Sequence, residues 1–216
     1  MTKKLWQASL KQKRNSNLFE FEKFLAKKFN YTPEKNYKKL FNWTIKNPKL
    51  FWSSMWEYSN LKGIKNDKFY FPKEIIKSKF LVKSKLNYAE NLLSKNDNSK
   101  AVTFISENGY REEKSWKELN NNTLKLINFL KEIKIKEKDR VAAYTANQKE
   151  TVESFLATSA IGAIWSSCSP DFGTQGVIER FSQIRPKLLI ITDRYYYNGK
   201  EINVLERLPA ILKKIK

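Results

Sequence analysis

Apolar residues recur at helical spacing through the first ninety positions. Leu18, Phe21, Leu25 and Phe29 follow an i, i+3, i+4 rhythm, and Phe51 with Met55 and Trp52 with Trp56 repeat it. Each set predicts a helix with one apolar stripe turned to a core. Pro33, Pro48 and Pro72 punctuate the region into short helices joined by loops. It closes on LNYAENLL, Leu86 to Leu93, where Leu86, Ala89 or Glu90, and Leu93 fall on one helical side. The polar run Ser94 to Lys100 then reads as a boundary.

Beyond that run the period alternates between two and 3.6. Ala101 to Ser106 is rich in β-formers, Asn108-Gly109 signals a two-residue hairpin turn, and Tyr110 to Lys114 returns as the paired strand. Ser115 with Glu118 makes a capping box, which opens a helix to about Lys134 with Leu119, Thr123, Leu126, Ile127, Leu130 and Ile133 inward. Asp139 to Thr145 is a short apolar strand, and Asn147 with Glu150 suggests a second capping box. The helix after it carries Phe155, Leu156, Ser159 and Ile161, and Gly162 leads into an extended segment, Ala163 to Ser169. Pro170 to Gly173 has turn chemistry, Val177 to Ile184 reads as a helix, and Leu188 to Thr192 as a buried strand. Short strands apolar on both faces, alternating with helices, predict an α/β fold with a parallel β-α-β-α-β sheet covered on both sides.

The 216 residues include 42 Lys and Arg against 22 Asp and Glu, a net charge of +20, with no histidine and one cysteine. Without imidazole there is no Ser-His-Asp triad, no His-paired thiol and no zinc finger. One thiol makes no internal disulfide, and Cys168 in its apolar context fits a reducing cytoplasm. The opening MTKKLWQASLKQK lacks the apolar stretch of a signal peptide. The most apolar run, Phe155 to Cys168, falls short of a membrane span, so neither a leader nor a membrane partner is expected. The charge invites a nucleic-acid reading, but its distribution argues against one. Residues 1–100 hold 23 basic and 8 acidic side chains, whereas Asp139 to Asp193 holds five and six. Only seven of the 42 cations are Arg, the residue suited to bidentate phosphate contacts. The excess reads as a solvated lysine surface.

Glycines stand only at 63, 109, 162, 173, 176 and 199, so neither a GxxxxGK[ST] nor a GxGxxG phosphate loop can form. No carboxylate pair suggests acid–base catalysis, and no cluster suggests a metal. Glu112 with Glu113, and Glu150 with Glu153, read as solvated charges. The distinctive stretch is Ile161 to Gly173, IGAIWSSCSPDFG: small residues allow close backbone approach, and Pro-Asp-Phe-Gly fixes the exit of a strand. The same letters also describe a tightly packed strand ending in a turn, with Cys168 as a small core residue.

The run DRVAAYTANQKETVESFLATSAIGAIWSSCSPDFG, Asp139 to Gly173, with Arg180-Phe181 and DRYYYNGK at Asp193 to Lys200, resembles the acetoacetyl-CoA synthetase branch of the acyl-adenylate-forming enzymes. FWSSMWEYSNLKG, Phe51 to Gly63, and LNYAENLL resemble the helical N-terminal cap of the acetyl-CoA synthetase group, and SWKELN at Ser115 resembles the family's first core motif. The similarity extends from about Phe19 to the end. It departs at the turn before Asp139, where relatives typically carry glycine and this chain has Lys134 to Lys138.

The resemblance implies a helical cap over 1–95 and the start of an adenylation domain over 96–216. It implies a ligase that joins acetoacetate to CoA through an acyl-adenylate, with ATP, Mg2+, CoA and acetoacetate as small-molecule partners. The phosphate loop, the nucleotide contacts and the lysine of the mobile C-terminal domain lie downstream in relatives, so no catalytic residue is assigned and these residues alone are expected to form no adenylate. Only a partial CoA site carries over. The turn after the second parallel strand maps to Ser169, Pro170 and Asp171, and a basic segment touching the nucleotide end of CoA maps to Tyr197 through Lys200, with Tyr197 standing where relatives have Arg. Alternatives are a ligase for acetate, propionate or another short acyl group, a non-catalytic CoA-binding remnant, or a basic nucleic-acid-binding module. A Tyr-Asn-Gly-Lys surface turn remains the plain reading of 197–200.

Overall fold

The computed structural model describes residues 5–34 and 36–215, so the first four positions of the leader reading and Lys216 lie outside the described residues. The chain divides into two compact units, residues 1–86 and 87–216.

The first unit is helical, with α1 (Leu10–Arg14), α2 (Asn17–Lys28), α3 (Tyr37–Lys46) and α4 (Pro48–Tyr58). The side chains of Ser16 and Asn36 accept backbone N–H bonds at the starts of α2 and α3, and Pro48 opens α4 where no amide is needed. Phe21, Leu25 and Leu40 form the core, with Phe24, Trp43, Phe51 and Met55 packed around them. Phe21, Leu25, Phe29, Phe51 and Met55 thus take the core role that the helical stripes predict, whereas Leu18, first in its stripe, is 45% exposed. Trp56 is buried as its stripe predicts, whereas Trp52 is 38% exposed, its ring tilted against that of Phe80 at 4.7 Å.

The second unit begins with α5 (Tyr88–Leu92). The Asn87 amide donates to the carbonyls of Ser159 and Ala160 at 3.0 and 3.1 Å, and Ala89 packs with Leu119 and Leu156. An antiparallel pair follows, β1 (Lys100–Ile105) and β2 (Arg111–Ser115). Ser106 N–H bonds the Tyr110 carbonyl and Gly109 N–H the Ser106 carbonyl, at 2.9 and 3.0 Å. The loop is therefore three residues, Glu107 to Gly109, not the two expected. Asn108-Gly109 supplies the end of a type I turn closed by a left-handed glycine, which takes one residue more than a primed turn. Next come α6 (Trp116–Glu132), whose Ser115–Glu118 capping box is present, and β3 (Arg140–Tyr144). Then α7 (Lys149–Ala160), β4 (Ile164–Cys168), α8 (Thr174–Ile184) and β5 (Leu188–Ile191) alternate. A second hairpin, β6 (Arg194–Tyr197) and β7 (Lys200–Asn203), leads to α9 (Leu208–Lys214).

Strands β3, β4 and β5 form a parallel sheet in the order β4-β3-β5. The central strand is buried on both faces. Val141 packs with Leu130, Ile135 and Ala157, while Ala142 and Tyr144 pack with Val177, Phe181, Val204 and Ile211. Period two thus sends alternate residues of β3 to helices on opposite sides, the layering that the apolar strands predict. Among the described residues no helix is long and apolar enough to cross a membrane.

Leu86 and Ile133, expected on helix faces, lie outside α5 and α6 and are 50% and 38% exposed, and three further local expectations are corrected. The second capping box does not form: α7 is capped at Gln148 without a side-chain bond, which leaves Asn147 before the cap and Glu150 at the second helical position rather than the third. Glu153 is not solvated; it is buried, and it accepts bonds from Lys114 and Asn122, both at 2.9 Å. Helix α8 starts at Thr174 rather than Val177, since Gly173 serves as its N-cap. Elsewhere the chain enforces glycine geometry without glycine: Lys134 and Lys138 stand at φ 60 and 69 in the turn before β3. At the end of α7 a true glycine does this work. Gly162 at φ 72 donates to the Ser159 carbonyl, and Ala163 N–H to that of Thr158, each at 3.1 Å, the bonding of a Schellman stop.

Candidate functional site

The sheet order places β3 first in the chain and at the centre, with β4 on one side and β5 on the other. The chain reverses its winding between β3 and β5, and a crevice opens outside the carboxyl ends of strands at such a point. A cavity of about 430 Å³ lies there. Ala146, Asn147 and Gln148 after β3, Ser169, Pro170 and Asp171 after β4, and Arg194 to Tyr197 after β5 line it, together with Phe104 to Asn108 and Tyr110 from the first hairpin. Four of the five residues singled out from the sequence, Ser169, Pro170, Asp171 and Tyr197, are thus brought to one cavity. Lys200 is not in its wall, but it pairs with Tyr197 across the β6–β7 ladder, and directly opposed residues share a face.

The wall after β4 is a tight turn, closed by the Phe172 N–H on the Ser169 carbonyl at 3.1 Å. Ser169 Oγ donates to Asp171 Oδ2 at 2.8 Å, and Tyr195 Oη donates to Asp171 Oδ1 at 2.7 Å. Both carboxylate oxygens are thereby engaged within the protein. Burial and the bond to Asp171 push the Tyr195 hydroxyl up to about 12, so it remains a donor. Behind the turn, Tyr144 at the end of β3 is fully buried, and its hydroxyl meets the carbonyls of Phe172 at 2.7 Å and Pro170 at 3.0 Å. Arg207 Nη1 lies 2.7 Å from both the Tyr144 hydroxyl and the Pro170 carbonyl.

The β6–β7 hairpin is joined by Asn198-Gly199, both at positive φ, which leaves Tyr197 directly opposite Lys200. Alternation puts Tyr195, Tyr197 and Lys200 on one face and Arg194, Tyr196 and Glu201 on the other. On that second face, Arg194 pairs with Glu201 at 2.8 Å and Tyr196 donates to the same carboxylate at 2.7 Å. The one ionisable thiol is elsewhere in character: burial pushes Cys168 up to about 11, against a smaller pull from Arg180, so it stays a neutral core group. No group of three or more Asp, Glu or Cys able to hold a metal ion is present among the described residues. Sequence reasoning missed the first hairpin's share of the wall, Tyr195, and the Tyr144–Arg207 support. Only the run of three tyrosines after β5 offered a signal for any of them.

The family model described as AMP-binding enzyme matches residues 91–216. An acetoacetyl-coenzyme A synthetase of Rhizobium meliloti (strain 1021) is 38% identical over 181 residues, 83% of this chain and 28% of that protein. The acetoacetyl-CoA synthetase of Danio rerio is 33% identical over 222 residues, 98% of this chain and 32% of that protein. The solved structure of acetoacetyl-CoA synthetase from Streptomyces lividans superposes with a TM-score of 0.90 at 26% identity, covering 99% of this chain and 34% of that one. The chain thus spans about a third or less of the length of these relatives. A parallel sheet wound about a central first strand, a crevice at its switch point and this agreement in sequence meet in one conclusion: the chain belongs to the AMP-binding enzyme family.

Proposed function

We propose that these residues are the amino-terminal portion of an acetoacetate–CoA ligase, with residues 1–95 as its helical cap and 96–216 as the start of its adenylation domain. The cavity at the end of the parallel sheet receives the nucleotide end of CoA. The observation that carries the reading is the convergence of the Ser169–Asp171 turn and Tyr197 on one crevice, with Lys200 directly opposite Tyr197 on the next strand.

The chemistry of the wall divides the ligand. Phe104, Tyr110 and the tyrosines of β6 offer flat faces to a purine, and Asn147 and Gln148 offer donors and acceptors to its edge. The lining charges are Glu107, Asp171 and Arg194, and Arg194 is already neutralised by Glu201, so the wall itself repels phosphate. Lys200, on the Tyr197 face, is the cation left to meet a phosphate as a point charge. Ser169 and Asp171 bond each other, so they shape the wall while Pro170 and Tyr197 make contact. When bound, ATP would supply the adenylate and CoA the thiol. No step is assigned to Mg2+, since the described residues gather no site for it. The ligase is a cytoplasmic enzyme acting on small molecules rather than nucleic acid. A malonamoyl-CoA synthetase of Penicillium aethiopicum, 30% identical over 222 residues, supports a second reading with a different short acyl group on the same framework.

Titration calorimetry of CoA against the 216-residue chain tests the site. Binding is expected to weaken about threefold to tenfold in Lys200→Ala and at high salt. Equal affinity in the variant, or CoA shifts in an NMR titration that avoid residues 195–200, would overturn the placement. In a pyrophosphate-release assay with acetoacetate, ATP and CoA, this chain alone is expected to give no turnover.

A further inference from the structure

Arg207 is half-buried, and three neutral oxygens crowd its Nη1, those of the Tyr144 hydroxyl and of the Pro170 and Phe172 carbonyls. One nitrogen has two hydrogens, and a phenol has one, which fixes the direction of every bond. Arg207 donates one hydrogen to the Tyr144 hydroxyl and the other to the Pro170 carbonyl, both at 2.7 Å. The Tyr144 hydroxyl, its lone pair taken, donates onward to the Phe172 carbonyl at 2.7 Å. The 3.0 Å Tyr144–Pro170 and 3.4 Å Arg207–Phe172 approaches are the longer cross-contacts of the same square. Each of the three hydrogens thus has one short acceptor, and each turn carbonyl has one short donor. A cation at the head of such a relay polarises the phenol behind it, so both arms are charge-assisted.

The two carbonyls belong to the turn whose Ser169, Pro170 and Asp171 line the cavity. Asp171 is tied on the opposite side to Tyr195 of β6, itself part of the wall. The turn is therefore held from behind by Tyr144 and Arg207 and from the front by Tyr195. Arg207 comes from the short 3₁₀ turn Leu205–Arg207 that leads into α9, so the grip spans the sheet, the second hairpin and that helix.

We propose that Arg207 is a positioning residue of this site: acting through Tyr144 and the carbonyls of Pro170 and Phe172, it holds the Ser169–Phe172 turn in the shape that admits the ligand. The role rests on the reading of the cavity as the CoA nucleotide site, and Arg207 itself does not touch the ligand.

The test uses the 216-residue chain with Arg207→Ala, Arg207→Lys and Tyr144→Phe. Hydrogen exchange without ligand reads the turn directly at the amides of Asp171, Phe172 and Gly173, and calorimetry reads CoA binding. Arg207→Ala is expected to speed exchange at those three amides and to weaken CoA about tenfold, the scale of one lost charge-assisted bond. Arg207→Lys, which keeps three donors and the charge, is expected to restore most of both, and Tyr144→Phe to loosen the turn with its ring packing kept. Far-UV circular dichroism of all three should match the parent. Unchanged exchange in Arg207→Ala overturns the grip, and faster exchange with unchanged CoA affinity overturns the positioning role. If the parent chain binds no CoA while exchange responds as expected, the CoA reading fails and the grip stands.

Discussion

Glu153 is the place where a single substitution should cost most for the least change in shape. It lies on α7, 5% exposed, and its Oε1 accepts from Lys114 Nζ on β2 and Asn122 Nδ2 on α6, each at 2.9 Å. The Lys114 side chain is only 14% exposed. Glu153→Ala would leave a mostly buried ammonium and a half-buried amide without this acceptor. Removing one member of a buried pair costs about 3–5 kcal/mol, chiefly through the charge left behind. Because Lys114 keeps a partial route to water, the lower end applies, about 3 kcal/mol. For a unit of this size that corresponds to a fall of about 10 °C in melting temperature.

The reasoning separates the worth of the pair from the cost of breaking it. Replacing both partners, Lys114→Met with Glu153→Leu, removes both charges and should return stability to within about 1 kcal/mol of the parent. The coupling in the double-mutant cycle should then be about 2 kcal/mol or more. Urea unfolding followed by far-UV circular dichroism and by hydrogen exchange in residues 87–215 reads both. A loss below about 1 kcal/mol in Glu153→Ala, or a double variant as unstable as the sum of the singles, would refute it. The bond also matters to the site, because Lys114 anchors the hairpin whose Glu107–Tyr110 segment lines the cavity.

Lys138 holds a left-handed conformation with an exposed side chain, so Lys138→Gly should relieve about 1 kcal/mol of backbone strain, offset in part by glycine's greater freedom when unfolded. A rise in melting temperature of about 2 °C is expected, and a fall would mean that the turn is not strained. Cys168 should resist the thiol reagent DTNB in the folded chain at pH 8 and yield one equivalent in guanidinium, since burial keeps it neutral up to about 11; immediate stoichiometric labelling of the native chain would contradict its burial. Asp139 accepts from Lys187 Nζ and the Lys136 N–H, both at 2.7 Å, and the Lys187 bond above all holds its carboxyl below the usual range. A lowered folded value means stabilisation present above about pH 4 and lost as pH falls through that value. Asp139→Asn should therefore lower stability at pH 7 by a margin that shrinks as pH falls below about 4, and a gap that does not change at all between pH 7 and pH 2 would argue against the pairing.

The layers of the fold were legible because they follow from periodicity. DRVAAYT and LLIIT could be strands only if both faces were covered, and α7 and α8 cover them. Boundaries and burial were harder: α7 begins one residue later than the Asn147–Glu150 spacing suggests, and Glu153 goes inward to a lysine thirty-nine positions upstream. Spacing along one segment carries no information about a partner on another. For the same reason Ser169 to Asp171 and Tyr197 could be found through a resemblance, whereas Tyr144 and Arg207 could not. Tyr144 looked like one more apolar strand residue and Arg207 like one more surface cation until the fold set them 2.7 Å apart.

The two departures from the family pattern differ in what they ask of the chain. Lysine in place of glycine before Asp139 changes only the cost of a conformation, because the backbone there adopts positive φ at both Lys134 and Lys138. Tyrosine in place of arginine at 197 changes what a ligand meets. Without arginine's fixed charge, the wall carries Glu107, Asp171 and a paired Arg194, and Tyr197 adds a flat face on the side of the hairpin that Tyr195 shares. A chain with a net charge of +20 thus presents a cavity wall that is neutral to acidic. On the proposed reading, affinity there comes from stacking and from Lys200 opposite Tyr197. Weakening by salt should accordingly follow Lys200, and loss of aromatic area at Tyr197 should weaken adenosine and CoA alike.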